Sequence, residues 1–254
     1  MQSAIPESPA RQNDTPSAPT RASAYRLSAV AAEHEGRNFI ALALYQILMR
    51  TGWIFKTESI VMPAVLDTIT GGGAFGGFLR GCLPVINRLG HSIPAMLFSQ
   101  RLKVLPQKRW AVIVCTLCMA AVFVMLSGMW WIAGETVYWW MPLLFLVCYA
   151  TFFTVKGMNN VSVGTLQGKL VHATRRGRLL LTANVVGAAS AIIAVCLLMP
   201  HWLTTEGGRF EMIFGFVAVC FAASAAVLLL TVEPRDEFQE PDRGVRHVFA
   251  SAWS

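Results

Sequence analysis

Three short stretches hold most of the chemistry available to this chain. "LMRTGWIFKTES" carries Arg50, Lys56 and Glu58, "FLRGCLPVINRLGH" carries Arg80 and Arg88, and "FTVKGMNN" carries Lys156, Asn159 and Asn160. Each is embedded in apolar sequence. Across the three, five cations face one carboxylate. If they share a cavity, Glu58 neutralises one of them at most. Water, helix C-terminal carbonyls or an anion must compensate the remainder once it is buried. The indicated chemistry is reversible recognition of an anionic substrate or substrate group. The competing reading is that some of these side chains snorkel to an interface or pair with one another.

Bond-breaking chemistry has little to stand on. The chain has no HExxH, GxSxG or GxxxxGK[ST] pattern, and Glu58 has no second acid at a useful helical spacing. We therefore expect no enzyme, no catalytic residue and no cofactor. Six cysteines (Cys82, Cys115, Cys118, Cys148, Cys196 and Cys220) all lie in apolar stretches, and "CTLC" lacks a partner pair. They read as small packing residues. The histidines show no metal-binding spacing, so no metal site is expected. His91 lies close to Arg88 and reads as structural.

The elements that must hold these residues follow from composition. Of 254 residues, 55% are hydrophobic and 14% charged, against about a quarter charged in an ordinary soluble domain. The deficit is concentrated in long runs of membrane-spanning length. Six spans are expected, at about 39–66, 74–98, 111–133, 137–153 with an extension toward 170, 179–199 and 213–232. The fold class is thus an all-α polytopic membrane protein. The chemistry-bearing residues fall in the first, second and fourth spans.

The net charge of +7 is placed to set topology and does not argue for a nucleic-acid partner. Cations gather before the first span (Arg11, Arg21, Arg26, Arg37) and after the second (Arg101, Lys103, Lys108, Arg109). They recur after the fourth (Lys169, Arg175, Arg176, Arg178) and after the sixth (Arg235, Arg243, Arg246). With six spans all four places share one side, which the positive-inside rule makes cytoplasmic, termini included. Trp130, Trp131, Trp139, Trp140 and Trp202 fall near the opposite ends, as interfacial anchors do. Residues 1–36, rich in Ser, Ala and Pro, read as a disordered cytoplasmic tail. The bundle occupies 37–232, and 233–254 reads as a cytoplasmic tail or linker.

Small residues are patterned too. Gly73, Gly77 and Gly81 repeat at spacing four in the second span, as do Ala183, Gly187 and Ala191 in the fifth. Such stripes let helices approach closely in lipid. The other reading of Gly73 is a Gly-rich loop ahead of the second helix.

Six spans, a basic connection "RLKVLPQKRW" and a second one ending in "RRGRLLLTANVVGA" together resemble the N-terminal half of a major facilitator superfamily transporter, in an uncharacterised bacterial branch. The resemblance covers about 39–233. It departs from the family in the first basic connection, which lacks the Gly-x-x-x-Asp-Arg-x-Gly-Arg pattern, so no gating pair is transferred to Arg101 or Arg109. It implies a secondary transporter of the bacterial inner membrane, working by alternating access with a proton or ion gradient. Glu58 is then the candidate proton carrier. It further implies first and fourth spans lining the solute path, second and fifth spans facing a second six-helix half, and that half supplied by a missing part, another chain or a second copy. The competing function is a six-span scaffold or assembly protein whose charges only hold helices together.

Overall fold

The computed structural model describes residues 33–56, 61–134, 136–203 and 209–235. The expected tail up to residue 32, Glu58 and residues 236–254 lie outside them. The described residues form seven helices and no strand: α1 (Glu35–Phe55), α2 (Val61–Thr70), α3 (Gly73–Val104), α4 (Lys108–Ala133), α5 (Met141–Leu170), α6 (Ala173–Leu203) and α7 (Phe210–Leu228). Four of them, α4 to α7, are long and apolar enough to cross a membrane, which makes this a membrane protein by length and composition. α1 and α3 have the length, but their polar and charged residues keep them out of that class.

The first expected span is not one helix. α1 ends at Phe55, where the Lys56 amide turns back to the Trp53 carbonyl at 3.3 Å. Pro63 explains why the helix cannot simply run on. It has no N–H for the carbonyl of Ser59, and its ring would clash there. In the first turn of a new helix, Val61–Thr70, the same proline costs nothing. The chain then reverses through Gly71, Gly72 and Gly73, with φ of 69°, 74° and 72°. Three consecutive left-handed residues are accessible only to glycine without strain. Gly73 therefore serves the turn, while farther along α3 a Cβ on Gly77 would meet only its own helix's Arg80 and one on Gly81 nothing within 4 Å.

Packing runs in the order α3–α5–α4–α7–α1–α6, with α2 against α3 and α5. The centre is aromatic. Phe123 of α4 meets Phe152 of α5 at 5.1 Å, Phe221 of α7 at 5.6 Å and Phe214 of α7 at 5.9 Å between ring centroids, and all four rings are buried. Tilted and edge-on pairs of this kind add to the dispersion that holds helices together in lipid. The outer faces of α3 and α6 remain uncovered, with Phe75, Phe78 and Leu89 on one and Val185, Ile192 and Leu197 on the other.

The expected stripe in α6 does pack. Ala183, Gly187 and Ala191 are all buried, and a Cβ on Gly187 would sit 3.1 Å from Cδ of Arg50 on α1. The tightest crossing was not anticipated and joins α3 to α5. A Cβ on Gly157 would overlap the His91 carbonyl, with the His91 C and Cα atoms at 2.9 and 3.1 Å. Beside it, a Cβ on Gly90, the residue before His91, would lie 3.2 Å from the Cβ of Phe153, one turn before Gly157 on α5.

The basic connections are mostly helix ends. Arg101 and Lys103 lie in the last turn of α3, Lys108 and Arg109 in the first turn of α4, and Lys169 in the last turn of α5. Arg175, Arg176 and Arg178 open α6. Glu233, beyond α7, accepts the amides of Lys108 (2.9 Å) and Arg109 (2.7 Å) and pairs with Lys169 at 2.9 Å. Its side chain is fully buried. A carboxylate at a helix N-terminus satisfies orphan N–H groups and complements the helix dipole. Arg109 also donates to the Thr231 carbonyl (2.9 Å), and the Asn38 amide clasps Val232 through both its N–H (2.8 Å) and its carbonyl (3.0 Å). Arg176 caps α5 by donating to the Gly168 and Val171 carbonyls at 2.6 and 3.0 Å. Glu35 accepts from the His172 amide (3.1 Å) and Arg175 (3.3 Å). The starts of α1, α4 and α6 and the ends of α5 and α7 therefore share one end of the bundle.

Candidate functional site

A cavity of about 370 Å³ opens between α1, α5 and α6. Its walls are helical stripes. Tyr45, Gln46, Met49, Arg50 and Trp53 descend one face of α1, while Lys156, Asn159, Asn160, Val163, Gly164 and Gln167 descend one face of α5. Both follow the three-and-four spacing that puts side chains on a common helix face. Ala183 and Asn184 close the third side from α6. The volume falls within the range of sites that take small organic molecules, about 300–1,000 Å³.

Two cations stand on these walls, and no carboxylate among the described residues does. Arg50 extends toward α6, where its guanidinium donates to the Asn184 side-chain oxygen and, at 3.5 Å, to the Asn184 carbonyl. Both acceptors are neutral, so the charge of Arg50 remains. Lys156 comes from α5 and leans on Trp53, its Nζ 5.0 Å from the ring centroid. That contact favours a cation without cancelling it. The Nε2 of Gln46 is buried without a hydrogen-bond acceptor, which leaves an unspent donor in a wall of the cavity.

Lys56 lies behind this wall. It is fully buried, with Nζ 3.6 Å from the centroid of Trp53, 4.3 Å from Phe153 and 4.6 Å from Phe152. Trp53 thus separates a boxed ammonium from the cavity in which Lys156 stands. Three aromatic faces offer a desolvated ammonium part of the stabilisation that water supplied.

Asn159 belongs half to the cavity and half to the core. Its Nδ2 donates to the Tyr45 hydroxyl at 2.9 Å, and that hydroxyl lies 3.3 Å from Thr116 Oγ1, which donates to the Val112 carbonyl at 2.7 Å. All three side chains are buried, and the relay joins α1, α4 and α5. Next to it, Asn160 Nδ2 lies 2.9 Å from His91 Nε2 on α3. The relay fixes the amide of Asn159 and leaves the backbone groups of α5 undisturbed.

Of the residues expected to share a cavity, Arg50, Lys156, Asn159 and Asn160 do so, with Lys56 one ring away. Arg80 and Arg88 do not. Arg80 pairs with Asp67 at 2.8 Å across the glycine turn between α2 and α3, half-exposed on both sides. Asp67 reaches it across the reversal at Gly71, Gly72 and Gly73. Arg88 is exposed on α3. Tyr45, Gln46, Trp53, Gln167 and Asn184 were not anticipated. Their signal is a polar stripe at helical spacing through Gln46, Arg50 and Trp53, and again through Lys156, Asn160 and Gln167. No protein-family model, curated protein or solved structure gives a significant match to this chain.

Proposed function

We propose that the chain is a secondary active transporter, or the N-terminal half of one, that moves a small anionic solute by alternating access. The observation that carries this reading is the cavity wall, with Arg50 and Lys156 on it and no described carboxylate to offset them. Uncompensated charge at membrane depth is costly, and such residues as a rule line a substrate path or a water-filled cavity.

The packing order supports the same reading. Counting α1 with α2 as the first span gives six spans, packed as 2–4–3–6–1–5. Exchanging the first three spans with the last three (1 for 4, 2 for 5, 3 for 6) returns the same order reversed. Three spans is an odd number, so the two triplets run in opposite directions through the membrane, the arrangement of inverted repeats in the halves of major-facilitator-type transporters. In that arrangement α1 and α5 line the path. The uncovered faces of α3 and α6 receive a second six-helix half. The basic end of the bundle is cytoplasmic, in a bacterial inner membrane, and the energy comes from a coupled proton or ion.

A scaffold protein is the second reading, favoured by the way Arg80 is spent on Asp67 and Asn159 on the buried relay. Site-directed labelling separates the two. In membrane vesicles of defined orientation, Asn160→Cys and Lys156→Cys are to react with a membrane-impermeant thiol reagent from either side, at rates that shift oppositely when an ion gradient is imposed. Labelling from one side only, unmoved by any gradient, or no labelling at all, overturns the transporter reading.

A further inference from the structure

We propose that the cavity takes an organic dianion whose two negative groups stand apart, of the short dicarboxylate class, with one group at Arg50 and the other at Lys156. The proposal rests on the transporter reading for its biological sense but concerns binding alone.

Charge sets the number of negative groups. The walls carry two cations, and neither is matched by a carboxylate among the described residues. A monoanion would leave one positive charge uncompensated beside the solute, whereas a dianion matches both wall cations. Position sets their separation. Arg50 is turned toward α6 by Asn184, whereas Lys156 projects from α5 and rests on Trp53. Arg50 stands on α1 and reaches to α6, and Lys156 stands on α5, so the cations belong to different walls. A single compact group such as sulfate reaches one cation well and the other poorly.

The remaining lining fits a short carbon chain between two carboxylates. Met49, Trp53 and Val163 offer apolar surface, and Gln46 Nε2 supplies a buried donor that lacks an acceptor. A guanidinium recognises a carboxylate through parallel N–H donors, while an ammonium acts as a point charge that tolerates varied approach. Such a pair accepts dicarboxylates of slightly different length, with the Lys156 end adjusting.

The test is binding to the full chain in detergent, read as stabilisation against heat, with succinate, butyrate and sulfate compared at equal ionic strength. Succinate is expected to bind about tenfold or more tightly than either of the others, the loss expected when one charge-assisted contact is missing. Arg50→Met and Lys156→Met should each erase that preference, whereas Lys156→Arg keeps the charge and should retain it. Helix content by circular dichroism shows that each variant is folded. Butyrate binding as tightly as succinate overturns the dianion and leaves the anion reading standing. Sulfate binding as tightly overturns the separation of the two groups. Stabilisation by putrescine and by none of the three anions overturns both this proposal and the anionic transporter. Selective succinate binding without ion-driven labelling changes keeps this proposal and ends the transporter reading.

Discussion

Replacing Gly157 by alanine should harm this protein, while the same replacement two turns away on the same helix should help it. An alanine Cβ at 157 would lie 2.9 and 3.1 Å from the His91 C and Cα atoms and overlap the His91 carbonyl oxygen. Carbon atoms pack at about 3.5–4.0 Å, so α3 and α5 must separate by roughly half an ångström or more. No rotamer change can absorb this, because every obstructing atom is backbone. Overpacking of a tight site costs about 1–3 kcal/mol, sometimes more, and a rigid obstruction puts this one at the top of that range. Alanine returns about 1 kcal/mol through helix propensity, leaving a net loss of about 2 kcal/mol. At Gly164 no atom lies within 4 Å of the added Cβ, so only the gain applies. At roughly 2–4 °C per kcal/mol for a chain of this size, Gly157→Ala should lower the melting temperature in detergent by about 4–8 °C. Gly164→Ala should raise it by about 2–4 °C. Intrinsic tryptophan fluorescence during a thermal ramp reads both. Two shifts of the same sign and size would refute the α3–α5 crossing described here.

Glu233→Ala removes the carboxylate shared by the first amides of α4 and Lys169, and should cost about 3–5 kcal/mol because buried donors and a largely buried ammonium lose their partner; thermal unfolding within about 0.5 kcal/mol of the unaltered protein contradicts this. Tyr45→Phe orphans the Nδ2 of Asn159, and a loss of about 1–3 kcal/mol is expected, with Thr116→Val smaller because Tyr45 and Asn159 keep each other. Arg80→Met breaks a half-exposed ion pair worth about 0–1 kcal/mol and should leave succinate binding unchanged; a tenfold weakening would place Arg80 in the solute path after all.

The charge of the cavity was legible in the sequence because cations inside apolar runs are rare enough to be conspicuous. That the first and fourth spans share one cavity was expected only from the family resemblance, not from the residues themselves. Arg50 and Lys156 meet across one cavity because α1 and α5 are each striped with polar residues, and that stripe includes amides whose letters alone look like ordinary polar interruptions. Arg80 was grouped with Arg50 as a cation inside an apolar run, but its partner is Asp67, which becomes a neighbour through the reversal at three consecutive positive-φ glycines. Gly73 shows how the two readings overlap, since a GGG turn and a helix-packing repeat share the same letters. Gly157 escaped notice for the opposite reason. One glycine beside one histidine backbone has no period to detect. Glu233 fell in the stretch read as a cytoplasmic tail or linker, and its place in sequence gives no hint that its carboxylate seats on a helix start 125 residues earlier.

The charge of the cavity can be measured without knowing the natural solute. Gln167→Cys places a thiol in the cavity wall near the basic end of α5, and two methanethiosulfonate reagents of equal size and opposite charge can be compared there. Surface potentials of several kT change local ion concentration by about tenfold or more. The anionic reagent should therefore react about tenfold faster than the cationic one, and the preference should vanish in the Arg50→Met, Lys156→Met double variant. Equal rates for the two reagents, or faster reaction of the cationic one, would contradict a positive solute cavity between α1, α5 and α6.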